Sequence, residues 1–276
     1  EGLHRAQFFH RESSEDTTFL EKLIRFGGSY QAMQQSSQQS LFGDLGPVEI
    51  PDLKLPDCQP WSNIEKLKRE KAIASFFISG HPLDEYRFDI ETFCNSTIKK
   101  LKDNLEAAST RDIYIAGIVS KVRHEVAKNG NPYGRFTLED FDDSLELSLF
   151  KEDYLKNKHM LVDDAIVYVK LRTAARWGSD QFEPRIQRIS LLSDVMDEMA
   201  KGLILQVPID NLNDPLTNHI VDALQKNKGN CRVKVEFFDF VNNYKVETSS
   251  AKYKVLCSGA TRQLRMVPGI HVKVKT

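Results

Sequence analysis

Apolar residues recur at helical spacing in the first third of the chain and alternate with polar residues in the middle third. The helical pattern covers residues 17–35 and 62–77, where hydrophobic positions lie three and four residues apart. Ser62 and Glu65 form a candidate capping box at the start of the second helix. A short third helix is predicted over 83–93, after a break that ends in proline.

Strand-like alternation begins near residue 111 and continues to residue 192. Within it, Asn129-Gly130 is a strong hairpin signal, because both residue types tolerate the positive φ angles of tight turns. The order three strands, a short helix and two strands is typical of the OB-fold, a small barrel that binds oligonucleotides through its second and third strands and nearby loops. The predicted elements are strands at 113–126, 135–139 and 145–150, a helix at 151–158, and strands at 165–173 and 183–191.

The remaining segments divide the chain further. A Gln/Ser-rich run follows the first helix, and four prolines between Pro47 and Pro60 predict an extended linker. The last third mixes strands with a helix over 215–226, which indicates a small α+β domain. The sequence therefore predicts a mixed, multidomain chain: a helical segment (1–46), a linker with helices and a Gly-His-Pro turn (47–110), an all-β OB-fold barrel (111–194) and a small C-terminal α+β domain (195–276).

Composition excludes some classes of protein. The 38 Lys and Arg residues nearly balance the 39 Asp and Glu residues, so any contact with nucleic acid must come from a local patch. The four cysteines are far apart and form no CxxC pair, which argues against a structural zinc site and a secreted disulfide framework. We see no signal peptide or membrane span and expect a cytoplasmic protein without a membrane partner. Because the chain runs from Glu1 at once into a helical pattern, we expect it to be part of a longer protein.

Three regions resemble the C-terminal region of the α subunit of bacterial DNA polymerase III, a replicative C-family polymerase. Their order and separations match that family over nearly the whole chain, although the last seventy or so residues match only loosely. The Gly-His-Pro-Leu segment and the hairpin after it are the most specific part. The three regions are Gln38–Gly43, Phe76–Tyr86, and the segments Ala116–Val119, Lys128–Gly134 and Thr137–Asp140 taken together.

The resemblance implies a non-catalytic part of a DNA-directed DNA polymerase, a nucleotidyltransferase. In that family the region supplies a sliding-clamp-binding segment, an OB domain near the single-stranded template, and a domain that docks the τ subunit of the clamp loader. The resemblance implies no cofactor for this part of the chain. The catalytic carboxylates, with the Mg²⁺ expected there, would lie upstream.

Residues Gln38 to Phe42 resemble a clamp-binding pentapeptide. Leu41 and Phe42 stand in a polar stretch without helical periodicity, so no helix face is available to bury them. Burial of each side chain contributes roughly 1.5–3 kcal/mol, against association costs of about 4 kcal/mol or more. Such a peptide binds weakly alone and gains from DNA threading, which raises the effective clamp concentration. The alternative is that Leu41 and Phe42 fill the core of their own domain.

Basic and aromatic residues are interleaved on the predicted strands. Cations that contact phosphates and rings that stack on bases are how an OB-fold holds a single strand without reading its sequence. Against this, Asp140, Asp142 and Asp143 lie near the same strands, and Phe136 could equally belong to the core. The candidate nucleic-acid-binding residues are Lys121, Arg123, Lys128, Tyr133, Arg135, Phe136, Arg172, Arg176 and Trp177.

We find no candidate catalytic or metal-binding residues. The sequence has no Walker loop, nucleophile elbow or HExxH motif, and the acidic pairs fall in predicted turns. His81 is best interpreted as a loop residue that fixes a sharp turn. We therefore expect no enzyme activity from this part of the chain. Two alternatives stay open: accessory domains of another nucleic-acid enzyme, and an OB-fold scaffold that binds proteins.

Overall fold

The computed structural model describes residues 3–11, 16–37, 53–175, 181–239 and 241–276. The chain divides into two compact units, Glu1–Pro82 and Leu83–Thr276. Among the helices of the described residues, none is both long and apolar enough to cross a membrane. The predicted pentapeptide with Gln38, Leu41 and Phe42 lies outside the described residues.

The first unit is helical. The helix predicted from residue 17 begins at Phe19, because Thr18 and Glu21 form a reciprocal cap: the Thr18 amide donates to Glu21 Oε2 (2.6 Å), and the Glu21 amide donates to Thr18 Oγ1 (3.3 Å). Ser62 caps the next helix as predicted and accepts from the Glu65 amide (3.2 Å), but the predicted capping box is incomplete because the Glu65 carboxylate accepts from Arg69 (2.8 Å). The helices are α1 (Arg5–Phe9), α2 (Phe19–Ser37) and α3 (Asn63–Ala74).

Glu70 organises the turn that follows α3. Its carboxylate accepts hydrogen bonds from the Ile78 amide (3.2 Å), the Ser79 amide (2.9 Å) and the Ser79 hydroxyl. These bonds, led by the one from the Ser79 hydroxyl, hold the pKa of Glu70 below its usual range. The His81 ring packs edge-on against Phe77, with the ring centroids 5.1 Å apart.

The second unit contains two sheets joined by helices. Its first part has the predicted order of three strands, a helix and two strands. The α-helices are α4 (Arg87–Phe93), α5 (Ile98–Asp103), α6 (Lys151–Asn157), α7 (Leu192–Met199), α8 (Asp214–Lys226) and α9 (Cys257–Leu264). The strands are β1 (Ile113–Val126), β2 (Pro132–Glu139), β3 (Ser144–Phe150), β4 (Ile166–Ala175), β5 (Phe182–Leu191), β6 (Gly202–Pro208), β7 (Lys228–Asp239), β8 (Tyr244–Val255) and β9 (His271–Lys275).

The first sheet is the predicted OB barrel. Its antiparallel strands run in the order β3-β2-β1-β4-β5, and the two outer strands, β3 and β5, come into contact. The long strand β1 pairs with β4 along its first half and with β2 along its second. Gly117 lies where β1 changes partner, and a Cβ atom there would approach the Glu139 carbonyl oxygen to 2.6 Å. Only glycine fits this close approach without a shift of the backbone.

The second sheet confirms the predicted C-terminal α+β domain. Its strands run in the order β8-β7-β6-β9; β6 and β7 are parallel and connected through α8, and the other pairs are antiparallel. Alternate residues of β6, including Leu203 and Leu205, are fully buried in a core shared with α8 and α9. Helices α5, α7 and α9 were not predicted from the sequence.

A disulfide joins Cys231 of β7 to Cys257 at the start of α9, with the Cα atoms 6.2 Å apart. Cysteine spacing argued against a secreted disulfide framework, and the pairing of Cys231 with Cys257 was not predicted from the sequence. The two residues are 26 positions apart in sequence, and only the fold brings them into contact. Cys58 and Cys94 are free.

The barrel and the C-terminal sheet share one core. Ala116 of β1 and Tyr168 of β4 point out of the barrel and are buried against α4 and α7 in the same cluster as the inner residues of β6 and β7. The Tyr168 hydroxyl donates to the Phe93 carbonyl (3.3 Å). The predicted boundary between residues 194 and 195 falls inside α7, which supplies Leu192 to this core.

We predict that Leu192→Ala destabilises the barrel and the C-terminal sheet together. Leu192 is fully buried in the shared core, so its truncation should lower the free energy of unfolding by about 2–5 kcal/mol. Hydrogen exchange should show reduced protection in both the β1–β4 and β6–β7 ladders. Leu191→Ala, whose side chain is 37% exposed, is the control and should cause a smaller loss. Loss of protection in one sheet alone would contradict a shared core.

Candidate nucleic-acid interface

A β-bulge in β1 sets which side chains lie outside the barrel. Lys121, with a φ of 53°, is the extra residue: Ser120 faces Thr137 and Arg123 faces Arg135, so three steps on β1 match two on β2. Before the bulge, odd-numbered residues of β1 face the barrel interior. After it, odd-numbered residues face outward, because the additional residue shifts the alternation by one. The bulge therefore turns Arg123 toward the exterior.

The second half of β1 forms an open outer surface with β2 and β3. We call it the OB outer face. Strand register places Arg123, Arg135 and Ser148 in one row and Glu125, Tyr133 and Phe150 in the next. Helices α4 and α7 bury the outward residues of the first half of β1, whereas Arg123, Arg135 and Phe150 of the OB outer face are exposed. Its members are Arg123, Glu125, Tyr133, Arg135, Thr137, Glu139, Glu146, Ser148 and Phe150.

Two aromatic rings lie side by side on this face. Tyr133 and Phe150 are directly opposite in the β2–β3 ladder and stack with their centroids 5.6 Å apart at an interplanar angle of 21°. The Phe150 side chain is 57% exposed, so its ring is accessible to a ligand. The Tyr133 hydroxyl donates to the Glu125 carboxylate. This hydrogen bond and the nearby negative charge raise the pKa of Tyr133 above its ordinary value.

Charge on the OB outer face is mixed. Arg135 pairs with Glu146 (3.2 Å), and Glu125 is held by Tyr133. Arg123 is exposed, and among the described residues no carboxylate pairs with it. Arg123 and Arg135 are directly opposite each other in the β1–β2 ladder, where like charges repel. Positive charge is therefore concentrated at this row of the face, and carboxylates lie in the neighbouring rows.

Four of the sequence-predicted residues lie on or beside this face. Arg123, Tyr133 and Arg135 are members of it, and Lys121 is exposed at the bulge that precedes it. Lys128 is exposed in the hairpin between β1 and β2, where the Ala127 amide donates to the Asn131 carbonyl (2.9 Å).

Phe136 does not fit its predicted role. Its ring is 1% exposed and belongs to the barrel core, because it alternates with Arg135 and so points inward. A base cannot stack on a ring buried in this way. Phe150, by contrast, lies on the OB outer face and was not predicted as a site residue. The signal was present in β3, where Leu145, Leu147 and Leu149 occupy the inward positions and leave Phe150 on the outward side.

Arg172 lies at the opposite end of β1 from the hairpin. Asp112 pairs with Arg172 and also with Lys170 (2.7 Å). The two cations, Lys170 first, hold the pKa of Asp112 below its usual range. The structure therefore does not bring Arg172 together with Arg123 and Arg135. Arg176 and Trp177 lie outside the described residues.

The acidic residues near the barrel have structural partners. Asp140 accepts hydrogen bonds from the Asp142 amide (3.0 Å), the Asp143 amide (2.9 Å) and the Ile98 amide (2.7 Å), so it shapes the β2–β3 turn and the start of α5. Asp143 pairs with Lys102 (2.8 Å). Within the described part of the chain, no group of three or more His, Cys, Asp or Glu side chains could hold a metal ion.

Strand order and sequence comparison agree on the class of this domain. Residues 113–192 match the sequence family described as "OB-fold nucleic acid binding domain". These residues correspond to strands β1 to β5, with α6 between β3 and β4. The central part of the chain is an OB-fold domain.

Comparison with curated proteins confirms the predicted resemblance: the chain is similar to the α subunit of bacterial DNA polymerase III. It is 26% identical to the Pseudomonas fluorescens subunit over 220 residues, which cover 79% of this chain and 18% of that protein. It is 27% identical to the Escherichia coli O157:H7 subunit over 193 residues, which cover 69% of this chain and 16% of that protein. The chain thus spans less than a fifth of the length of these relatives.

Two solved structures are similar to parts of the chain. One is the mitochondrial single-stranded DNA binding protein Rim1 of S. cerevisiae, with a TM-score of 0.24, 20% identity, and coverage of 30% of this chain and 95% of that chain. The other is yeast Stn1 and Ten1, with a TM-score of 0.24, 17% identity, and coverage of 40% of this chain and 70% of that chain.

We predict that Glu125→Gln lowers the pKa of Tyr133 toward its ordinary value of about 10. The substitution removes the negative charge that favours the protonated hydroxyl. The pH titration of ¹³C-labelled tyrosine, followed by NMR, should show the Tyr133 resonance moving at a lower pH in the variant. Tyr253 of β8, whose pKa is lowered by its hydrogen bond with Gln225, lies on the other sheet and should titrate identically in both proteins. A Tyr133 curve unaffected by the substitution would contradict the observed hydrogen bond.

Proposed function

We propose that the OB outer face binds single-stranded DNA. One observation carries the proposal: Arg123 and Arg135 are opposite each other in one row of the face, and the stacked, partly exposed rings of Tyr133 and Phe150 lie in the next row. Each phosphate held by an arginine releases condensed counterions, and each base stacked on a ring contributes about 1–3 kcal/mol. The second and third strands are the usual binding face of this fold, which supports the assignment.

The similarity to the polymerase α subunit supports a wider proposal. We infer that the chain is a non-catalytic C-terminal part of a bacterial replicative DNA polymerase, acting in the cytoplasm during DNA replication. The parent protein would be a DNA-directed DNA polymerase with its active site and Mg²⁺ upstream. In that setting the OB domain would hold the single-stranded template ahead of the active site.

Two protein partners complete this proposal. Gln38, Leu41 and Phe42 would tether the polymerase to the sliding clamp, and the C-terminal α+β domain would dock the τ subunit of the clamp loader. The first assignment is supported by the pattern of an apolar-aromatic pair within a polar stretch. The second is supported by the resemblance to the α subunit alone.

We predict that Arg123→Gln with Arg135→Gln weakens binding of single-stranded DNA and reduces its dependence on salt. For single strands each lost phosphate contact lowers the slope of log K against log salt by about 0.7, so two contacts should lower it by about 1.4. Phe150→Ala should weaken binding by about 1–3 kcal/mol without a change in that slope. Fluorescence anisotropy with a labelled oligothymidine, titrated at several salt concentrations, measures both effects.

Matched variants control for net charge and for loss of a ring. Arg69→Gln with Arg262→Gln removes two exposed arginines elsewhere, and Phe76→Ala removes a ring that is 62% exposed in the first unit. Both controls should bind as the unaltered chain does. Equal weakening by test and control variants, or no binding of the unaltered chain at low salt, would refute a DNA-binding role for the OB outer face.

We predict that Leu41→Ala with Phe42→Ala abolishes retention on a sliding clamp threaded on DNA. The two side chains supply most of the apolar area in the pentapeptide, and a weak tether has no reserve of binding energy. Leu45→Ala, in the same stretch but beyond the pentapeptide, should leave retention unchanged. Co-sedimentation with clamp-loaded circular DNA measures retention. Full retention of the double variant would show that the clamp is held elsewhere or not at all.

One observation favours a second candidate, an OB-fold scaffold that binds a protein. Glu125, Glu139 and Glu146 lie on the same face as the two arginines, so the face is mixed in charge. A protein partner could match such a pattern with its own charges around the exposed Phe150. Capture of clamp or clamp-loader subunits, together with no affinity for oligonucleotides at low salt, would favour this alternative.

A further inference from the structure

The C-terminal sheet has one covered face and one open face. Leu203, Leu205 and Val207 of β6 are buried against the core that contains α8 and α9. The residues between them, Ile204 and Gln206, point the other way and are partly exposed. Strand register extends this division to all four strands, because directly opposite residues share a face. The open face carries Gly202, Ile204, Gln206, Arg232, Lys234, Glu236, Phe238, Lys245, Glu247, Ser249, Lys254, His271, Lys273 and Lys275.

Charge on the open face is divided between its two ends. At one end Glu247 pairs with Lys234 and with Lys245 (2.6 Å), and Glu236 pairs with Lys245 (3.0 Å). Lys234 first, and then Lys245, lower the pKa of Glu247 to about 2. These two glutamates are the only carboxylates among the open-face residues named above, and both are already engaged by lysine.

At the other end of the open face, cations lie in a row across the strands. Lys275, Gly202, Arg232 and Lys254 are directly opposite one another, in that order, across all four strands. Since neighbouring strands are about 4.8 Å apart, the row is about 15 Å long. Lys273 adds a fifth position, two residues from Lys275 on β9. All four cations are exposed, and none has an ion-pair partner among the residues that the structure describes.

This arrangement opposes the stability of the sheet. Arg232 and Lys254 form a directly opposed pair of like charges, which is destabilising. Gly202, between Arg232 and Lys275 in the row, has no side chain that could separate or neutralise the cations. An external polyanion would relieve the repulsion, because it would supply the negative charge that the described part of the chain does not.

We propose that this basic row, defined by Arg232, Lys254, Lys273 and Lys275, is a second nucleic-acid contact that binds the phosphate backbone of a single strand. Protein interfaces have an apolar core that excludes water. Among the open-face residues named above, Ile204 is the large apolar side chain nearest the row, and none of the residues in the row is aromatic. Phosphates require only cations, so the row suits contact with the backbone and not the reading of bases. The proposal concerns a different domain from the OB outer face and does not depend on it.

The test is the salt dependence of oligothymidine binding by the full chain with Arg232→Gln, Lys254→Gln and Lys275→Gln. Three lost phosphate contacts should lower the slope of log K against log salt by about 2. The triple substitution is made both in the unaltered chain and in the Arg123→Gln, Arg135→Gln variant. The same decrease in both backgrounds supports the basic row, whatever the outcome for the OB outer face.

The control replaces three exposed lysines elsewhere: Lys66→Gln, Lys100→Gln and Lys226→Gln. It makes the same change in net charge and should leave the slope as it is. Thermal denaturation checks the fold, and the test variant should be no less stable than the unaltered chain because it loses a repulsive pair. Equal slopes for test and control would overturn the proposal. So would competition by poly-glutamate as strong as that by oligothymidine of equal charge, since it would indicate an acidic protein partner.

Discussion

Burial of Tyr168 and Ala116 on the outside of the barrel is the contact on which the second unit depends. An OB barrel alone has a filled interior and an exterior free on all sides. Here α4 and α7 cover the outer wall formed by the first half of β1 and by β4, and the same helices pack against the C-terminal domain. Since burial of a large side chain stabilises by about 1.5–3 kcal/mol, a wall of such residues ties the two sheets into one body. Because α4 and α7 cover this side of the barrel, a ligand can reach the OB outer face but not the covered side.

The bulge at Lys121 changes which residues of β1 face the barrel interior: odd-numbered residues face inward before it and outward after it. The first half of β1 must turn Ala116 outward toward the helices and Ile115 inward toward the barrel core. Without an additional residue, the same alternation would carry Arg123 into the apolar interior, where an unpaired charge is strongly unfavourable. The extra residue allows one continuous strand to serve the shared core at one end and the polar OB outer face at the other.

Features of the fold that depend on neighbouring residues could be predicted from the sequence. Features that depend on contacts between residues distant in sequence could not. The strand order, the Asn-Gly hairpin and the Ser62 cap each depend on a few neighbouring residues, and all were read correctly. Phe136 and Phe150 show the limit, because the choice between core and surface depends on strand register. Alternating leucines in β3 could have identified Phe150, but nothing local indicated that α7 would cover Tyr168. The Cys231–Cys257 disulfide likewise follows from the packing of α9 on the sheet, which no spacing rule reveals.

The packed joint between barrel and C-terminal sheet has a geometric consequence. Domains connected by a flexible tether sample many separations, and their combined affinity varies smoothly with linker length. A joint filled by Tyr168, Leu192 and their neighbours allows no such adjustment, so the distance between the two polar faces is set by the interior of the protein. The second unit would therefore select ligands by length: a polymer too short to reach from the OB outer face to the basic row would bind with no more affinity than one face provides.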